Sequence, residues 1–143
     1  MSTPEAGAAA GATRPDPVYT PDAAFFWEGA ARGELLGQRC ADCQRLAHPP
    51  RPMCPFCHSL KREVVRLSGR GTVCSWTIPR HPAPLGFAEP PIVALIELAE
   101  GIRLVSNVVE VAQAEMRNGL SVQVLFAPTR GGRAVPVFRP VKA

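Results

Sequence analysis

The sequence lacks the patterns that mark secreted and membrane-spanning proteins. No apolar run approaches the roughly 18 residues that a helix needs to cross a bilayer. The N-terminus has no basic segment followed by an apolar stretch, which is the pattern of a secretory signal. We therefore expect a cytoplasmic protein that makes no use of a membrane and whose cysteines stay reduced.

Residue patterns typical of catalytic sites are missing as well. There is no pair of carboxylates at a useful spacing, no Ser-His-Asp order with flanking motifs and no glycine-rich phosphate loop. The Gly-Arg-Gly run at residues 69–71 indicates a bent strand and falls far short of a nucleotide-binding fingerprint. We expect that the chain is not a catalyst on its own.

Aromatic residues make up only 6% of the chain, and lysine is scarce beside arginine. The net charge is nevertheless +4 with a pI near 9.1, a balance found in proteins that bind nucleic acid, anionic membranes or phosphate-bearing molecules such as coenzyme A. The arginines are scattered, and no basic run is longer than Lys61-Arg62. Barrels that bind single strands interleave aromatic with basic residues, so the composition makes nucleic acid an unfavoured partner and leaves a mildly basic solvated surface open.

Four of the five cysteines form two Cys-x2-Cys pairs, with ten residues between the pairs. A two-residue spacer lets both thiolates of a pair turn toward one point, and two facing pairs make a tetrahedral site of the kind that holds structural zinc. The predicted ligands are Cys40, Cys43, Cys54 and Cys57. Because four thiolates leave no open coordination position, we expect the zinc to stabilise the fold and to take no part in catalysis.

Other interpretations of the cysteine pairs are open but weaker. Free or disulfide-bonded cysteines fit poorly with paired spacing in a chain that reads as intracellular. His48 and His58 lie in or beside the loop and are possible replacement ligands, although four cysteines already suffice. A redox role is disfavoured because no strand-then-helix pattern surrounds either pair.

The rest of the chain divides around this ribbon. Residues 1–21 are rich in small residues and proline, which predicts a disordered tail. Residues 22–38 predict a short N-terminal helix with Asp22 as its N-cap. Residues 39–62 form the predicted zinc ribbon, and residues 63–143 form a predicted barrel.

Three adjacent aromatic residues, Phe25, Phe26 and Trp27, lie near the start of the predicted helix. Neighbouring side chains on a helix point about 100° apart, so at least one of the three must meet a different surface from the others. Either all three pack on this protein's own domain, or the helix presents aromatic side chains to a partner or a ligand, where they are favoured.

The stretch after the ribbon alternates as a β-strand does. Residues 63–78 predict a first strand with a sharp bend at Gly69–Gly71. Beyond the bend, Cys74, Trp76 and Ile78 fall on one apolar face. We expect Cys74 to be a buried core thiol rather than a reactive nucleophile.

The remaining segments complete an all-β pattern. Residues 92–98 and 102–110 predict a hairpin, residues 112–120 predict one or two helical turns, and two further strands follow. Pro136 marks the last strand as an edge. Five strands with a helical turn between the third and fourth predict a mainly β fold that ends in a five-stranded OB-fold barrel, with a small sandwich as the alternative.

Several stretches together resemble one known family. They are FFWEGAARGELLGQRCADC with the second Cys-x2-Cys, then LSGRGTVCSWTIPRHP, PPIVALIELAEGIRLVSNVV and PVFRP. In order and spacing they are similar to the zinc-ribbon/OB-fold proteins long catalogued as a domain of unknown function and regarded as acyl-CoA-associated. The resemblance covers residues 22–140. It departs at residues 118–122, where Asn-Gly-Leu-Ser-Val replaces the Gly-Met-Pro-Val turn of many relatives.

The resemblance implies a rubredoxin-like zinc ribbon, an OB barrel and a role without catalysis. Members of the family act as accessory subunits beside thiolase-fold proteins of the lipid-transfer type, either thiolases or retro-aldolases that cleave CoA thioesters, including those of steroid side chains. Some pair with hotdog-fold enoyl-CoA hydratases. The expected assembly is a hetero-oligomer in which the partner carries the catalytic residues and the CoA thioester is bound at the complex.

Six residues are candidates for contact with the partner or with acyl-CoA. They are Phe25, Phe26, Trp27, Arg80, His81 and Phe87. Arg80 and His81, in a proline-rich loop, are placed to meet a CoA phosphate, although a solvated loop pair is the simpler interpretation. Two other functions stay open: a nucleic-acid-binding module built from the same two folds, and an independent enzyme acting through Cys74 or a histidine.

Overall fold

The computed structural model describes residues 13–142. Over this part of the chain there is one α-helix, a three-stranded sheet and a closed five-stranded barrel, and no helix in it is long and apolar enough to cross a membrane. In chain order the elements are α1 (Ala24–Ala31), β1 (Leu36–Cys40), β2 (Leu46–Ala47), β3 (Arg62–Arg66), β4 (Arg70–Thr77), β5 (Ile92–Leu98), β6 (Arg103–Val108), a 3-10 helix (Gln113–Glu115), β7 (Ser121–Pro128) and β8 (Ala134–Pro140).

Strands β4 to β8 close the barrel in the order β4-β5-β6-β8-β7, and β7 returns to β4. In β5 every second side chain is buried, from Ile92 to Leu98, because successive residues of a strand point to opposite faces. Phe138 of β8 is fully buried in the same core. The predicted five-stranded barrel is confirmed, with its short helix between the third and fourth strands, and the sandwich alternative is wrong.

The barrel has a weak seam between β6 and β8. These two strands run parallel and share a single bridging pair, Val108 with Phe138, whereas β8 pairs with β7 along its whole length. The carbonyl of Pro136 accepts a hydrogen bond from Ser106 Oγ of β6 at 2.8 Å. Because the nitrogen and the carbonyl of one strand residue point to the same side, the ring nitrogen of Pro136 also faces β6, where the ladder is already nearly absent and the missing N–H costs no hydrogen bond. Pro136 was expected to mark an edge strand, and that is wrong: β8 has a neighbour on both sides.

Strand β3, expected to begin the barrel, belongs to the ribbon's sheet. It pairs with β1 from Leu36 opposite Arg66 to Cys40 opposite Arg62. The chain then passes to the barrel at Gly69, which has a φ of 76°, a conformation that glycine adopts without the penalty of a side chain. The predicted glycine bend therefore joins two sheets rather than bending one strand.

Strand β4 carries a bulge at Cys74. Val73 lies opposite Ile96 and Ser75 lies opposite Leu95, so Cys74 has no partner across the ladder. An extra residue reverses the alternation that follows it, so Trp76 lies opposite the buried Ala94. Trp76 is nevertheless 36% exposed near the end of the strand. Cys74 is half-buried. The expectation that both belong to the core is wrong.

The N-terminal elements also differ from expectation. The helix is capped by the backbone of Ala23 without a side-chain hydrogen bond, and Asp22, the predicted cap, pairs instead with Arg62 at 3.4 Å. Residues 1–12 of the predicted tail lie outside the described residues. From Thr13 onward the chain runs across the barrel and makes specific hydrogen bonds with it, so the disordered tail does not extend to residue 21.

Candidate functional site

The four ribbon cysteines lie in two turns of the same shape. In the first, Gln44 N donates to Cys40 O, and in the second His58 N donates to Cys54 O, each at 3.0 Å. Gln44 and His58 have nearly equal positive φ values of 64° and 65°, a conformation uncommon outside glycine. The repeated turn aims both thiols of each pair at one point.

The geometry of the sulfur atoms fits a tetrahedral metal ion. All four Sγ atoms lie within 4.8 Å of one another, with Cys40 and Cys57 at 3.5 Å and Cys43 and Cys54 at 3.7 Å. A zinc ion with Zn–S bonds of about 2.3 Å requires a sulfur separation of about 3.8 Å, whereas a disulfide requires about 2.05 Å. The sulfur positions therefore match a four-thiolate metal site and exclude a disulfide.

Backbone N–H groups favour the thiolate form that a metal requires. Phe56 N donates to Cys54 Sγ at 3.4 Å, and Cys43 N donates to Cys40 Sγ at 3.5 Å. The pKa of Cys54 is lowered to about 6, chiefly by the N–H of Cys57 and then by that of Phe56, against the opposing effect of burial. The pKa of Cys40 is lowered in the same way, chiefly by the N–H of Cys43. In Cys43 and Cys57 the N–H groups of Arg45 and Ser59 are outweighed by burial and by the neighbouring sulfurs, which raise the pKa of both thiols.

The two histidines near the cysteines are not part of this cluster, whose members in the described chain are all cysteines. His48 is half-buried, with its ring 5.4 Å from that of Phe26, and burial lowers its pKa. His58 is exposed and supplies the turn described above. A closed shell of four thiolates leaves no position for water or substrate, which identifies the site as structural.

The aromatic residues of α1 divide into buried and half-buried positions. Phe26 is 6% exposed, and its ring meets that of Trp27 edge to face at 4.8 Å. Phe25 and Trp27 are half-buried against the same core. Phe26 is therefore a core residue, and only Phe25 and Trp27 keep surface that a partner can reach.

The three candidates in the loop between β4 and β5 have separate surroundings. Arg80 is exposed and donates to Gln113 Oε1 at 3.2 Å, and His81 is exposed. Phe87 is half-buried, with the guanidinium of Arg14 4.9 Å from its ring centroid. The structure thus places Arg80 beside the 3-10 helix and Phe87 beside the N-terminal segment.

A cavity of about 640 Å³ opens beneath the N-terminal segment Thr13–Thr20, which we call the strap. Its walls come from the strap, α1, the loop at residues 48–50 and strands β5, β6 and β8. Sequence reasoning missed it, because the strap was expected to be disordered. The available signal was two charged residues, Arg14 and Asp16, that alternate with Pro15 and Pro17, a pattern that composition does not distinguish from a tail.

Two stretches of the chain match descriptions of known domains. Residues 27–61 match "ChsH2, rubredoxin-like zinc ribbon domain", and residues 64–127 match "ChsH2, C-terminal OB-fold domain". A solved chain of the "Ltp2-ChsH2(DUF35) aldolase" superposes with a TM-score of 0.78 at 41% identity, over 87% of this chain and 98% of that one.

Two curated relatives are subunits of enzymes. The chain is 41% identical over 129 residues to the probable enoyl-CoA hydratase alpha subunit of Thermomonospora curvata, covering 90% of this chain and 40% of that protein. It is 31% identical over 130 residues to the benzoylsuccinyl-CoA thiolase subunit BbsA of Thauera aromatica, covering 85% of this chain and 89% of that one. The chain therefore spans about two fifths of the hydratase subunit but most of the thiolase subunit.

Proposed function

The chain belongs to the ChsH2 zinc-ribbon/OB-fold (DUF35) family, and on that premise we propose that it is a non-catalytic accessory subunit of an acyl-CoA-processing complex. One observation carries the proposal. Proteins similar to this chain are named as parts of a hydratase, a thiolase and an aldolase. Because the part that these proteins share accompanies three different reactions, we assign the chemistry to the other parts of each complex and not to this chain.

The partner that we propose is a thiolase-fold protein of the lipid-transfer type. The relative named as a thiolase subunit is matched over 89% of its own length, so the similarity extends over nearly all of a protein that serves a thiolase. The chain matched in the aldolase complex is covered to 98%. A hotdog-fold hydratase as a further partner, a CoA thioester bound at the complex and a place in steroid side-chain cleavage are finer parts of the same proposal.

The metal that we assign to the ribbon is zinc, held by Cys40, Cys43, Cys54 and Cys57. It supplies a rigid crosslink between the two cysteine turns and stabilises the surface that the ribbon presents. Thiolate ligands persist in a reducing compartment, and we therefore place the complex in the cytoplasm.

We assign the partner contact to the loop that follows β4 and to the accessible parts of α1. Leu85 is 87% exposed, the most exposed of the large apolar residues in the described chain, and an apolar side chain of this kind gains most from burial against a partner. Phe25 and Trp27 supply half-buried aromatic surface, and Arg80 with His81 supplies exposed polar groups on the same loop.

The first experiment is purification of the tagged full chain from its native host, with mass spectrometry of what stays bound. We expect a thiolase-fold protein in near-equal amount, and acyl-CoA cleavage by the recovered complex. The variant Leu85→Ser should recover less of that protein. The control is Leu60→Ser, the same substitution at a residue of the ribbon that is 75% exposed, and it should recover as much partner as the wild type. Recovery with nucleic acid that is lost steeply as salt rises would instead favour the binding module.

A further inference from the structure

The strap lies across the face that OB-fold barrels use for extended ligands, which is formed by the second and third strands with the loops that flank them. In this barrel those strands are β5 and β6, and the loops are residues 78–91 and 129–133. The strap contacts both loops and β6. The chain thus covers its own ligand face.

Arg14 is held in a specific pocket. Its guanidinium donates to Asn107 Oδ1 on β6 and lies 4.9 Å from the ring centroid of Phe87, so a charge-assisted hydrogen bond and a cation–π contact act on one group. The backbone is fixed at the same point, because Arg14 O accepts from Arg130 N at 2.9 Å.

Asp16 is held in a second pocket at the tip of the β7–β8 loop. Its carboxylate accepts hydrogen bonds from Thr129 Oγ1 and, at 3.1 Å, from Gly131 N. Thr129 is only 2% exposed, and Arg133 N donates to its hydroxyl oxygen at 3.0 Å, which fixes that hydroxyl for donation to the carboxylate.

Two glycines leave the room that the strap needs. A Cβ at Gly131 would lie 2.7 Å from Asp16 Cγ, and a Cβ at Gly86 would lie 2.9 Å from Pro15 Cδ, both closer than real Cβ contacts allow. Gly131 has an ordinary φ, so backbone conformation alone does not require glycine there. The loops are shaped to admit a chain across this face.

The strap is not held by burial. Val18, its one aliphatic residue, is 81% exposed, and Tyr19 is 38% exposed, while the cavity of about 640 Å³ stays open below. Its one aromatic contact is that of Tyr19, whose ring stacks on Trp27 with centroids 6.4 Å apart and lies 4.1 Å from the guanidinium of Arg133. A segment fixed mainly by two charged side chains and by loop backbone has the properties of a bound peptide rather than of a structural element. Such segments open at low free-energy cost.

We propose that this face is a peptide-binding groove, which the strap occupies in cis and which accepts in trans an extended, proline-containing segment with an arginine and, two residues later, an aspartate. A peptide is favoured over a nucleic acid because Asn107 and Phe87 recognise a cation, whereas a nucleic-acid backbone presents only anions. The groove is a proposal separate from the accessory role. Recovery of the partner tests the accessory role, and the peptide-binding experiment below tests the groove.

The test uses the full chain as the receiver, with its own strap weakened by Arg14→Ala and Asp16→Ala. The probe is a fluorescein-labelled peptide of residues 13–22, TRPDPVYTPD, followed by anisotropy. We expect saturable binding to this receiver and about tenfold or more weaker binding to the wild-type chain, because a cis segment competes at an effective concentration near millimolar. A labelled oligodeoxythymidylate should bind neither chain.

Matched variants of the receiver locate the binding. Adding Gly131→Ala should weaken peptide binding about tenfold or more, since it fills the aspartate pocket and removes charged hydrogen bonds. Adding Gly132→Asn should change nothing, because a Cβ at Gly132 meets no atom within 4 Å and asparagine tolerates its positive φ. A peptide with Asp16→Asn should lose affinity as Gly131→Ala does.

Several outcomes would overturn the groove. They are no saturable binding to a receiver that keeps wild-type metal content and circular dichroism, equal binding to the wild-type chain, binding unaffected by Gly131→Ala, and binding of the oligonucleotide in place of the peptide. Asp16→Ala alone serves as a second receiver if the double variant does not fold.

Discussion

The zinc ribbon and the barrel are held together by different means. The ribbon buries little apolar surface, and four of its large apolar residues are exposed: Met53, Phe56, Leu60 and Val64. The barrel buries a continuous core that includes Val73, Ile96, Leu98, Val122 and Phe138, each 2% exposed or less. The order of the ribbon depends on one four-cysteine site, whereas the order of the barrel is distributed over many contacts.

The two regions nevertheless meet at the N-terminal helix. Phe26 of α1 belongs to the same core cluster as Leu35, Leu67 and the barrel residues, and its ring also faces His48 of the ribbon loop. Because the ribbon and the barrel are stabilised by different means, we expect loss of the metal to affect the ribbon and loss of core packing to affect the barrel. Helix α1 contacts both regions and is where an effect on one can reach the other.

The largest predicted effect is loss of the metal site. Cys54→Ala should remove metal binding, which contributes on the order of 10 kcal/mol or more to folding in small zinc domains, and should unfold the ribbon. Metal content by mass spectrometry should fall to zero, and hydrogen exchange should accelerate at Gln38 while Ile96 keeps its protection.

The control for this prediction is Cys74→Ser, a change at the one cysteine outside the metal cluster. It should leave both metal content and exchange unchanged. Equal loss of protection at Ile96 in Cys54→Ala would show that the barrel depends on the ribbon and would contradict the comparison.

A smaller effect is predicted from the barrel side. Phe138→Ala removes a fully buried ring and should lower the free energy of unfolding by about 3–5 kcal/mol, measured by urea denaturation. The metal should stay bound at one equivalent. The control Val105→Ala, at a position 68% exposed, should change stability by less than about 0.5 kcal/mol. Metal release from Phe138→Ala would contradict the prediction, because it would mean that the ribbon needs the barrel to keep its metal ligands in place.

The junction between the regions offers a third, intermediate test. Gly69→Ala combines a positive φ with a Cβ that would overlap the side chain of Val124, and we expect a loss of about 1–3 kcal/mol. Gly101→Ala has a similar φ of 89° but no atom within 4 Å of the added Cβ, so it isolates the backbone term, about 1 kcal/mol. Equal losses in the two variants would show that the contact with Val124 has no energetic weight.

The sequence predicted most where structure is set by near neighbours. The cysteine spacing alone identified the metal site, because two residues between thiols fix the turn that joins them. The hairpin of β5 and β6 could likewise be predicted from the alternation of apolar residues and from the Glu100-Gly101 turn. Both depend on residues within a few positions of one another.

The errors lie where a distant partner decides. Strand β3 reads like a barrel strand, but its pairing with β1 assigns it to the ribbon. The bulge leaves Cys74 without a partner across the ladder and half-buried, although its alternation with Trp76 and Ile78 predicted a core position. The strap looks like a disordered tail because its contacts, such as Asp16 with Thr129, join residues 113 positions apart.

The smallest predicted effect concerns pH and separates the strap from the ribbon. The hydroxyl of Thr129, followed by the N–H of Gly131 and the charges of Arg133 and Arg130, lowers the pKa of Asp16 below its ordinary value, against the opposing effect of burial. The folded chain therefore favours the charged carboxylate. Its contribution is fully present above the ordinary carboxyl pKa of about 3.9 and is lost as the pH falls through the lowered pKa.

The amide of Gly131, which donates to that carboxylate, should report the change as a shift of its NMR resonance below about pH 4. The metal should leave by a separate titration, because it requires protonation of thiolates, and a zinc-sensitive dye follows that release independently. Asp16→Asn should remove the first titration and leave the second in place. If Gly131 in Asp16→Asn still shifted over the same range, the strap would be following the ribbon, and the two regions would not respond separately to acid.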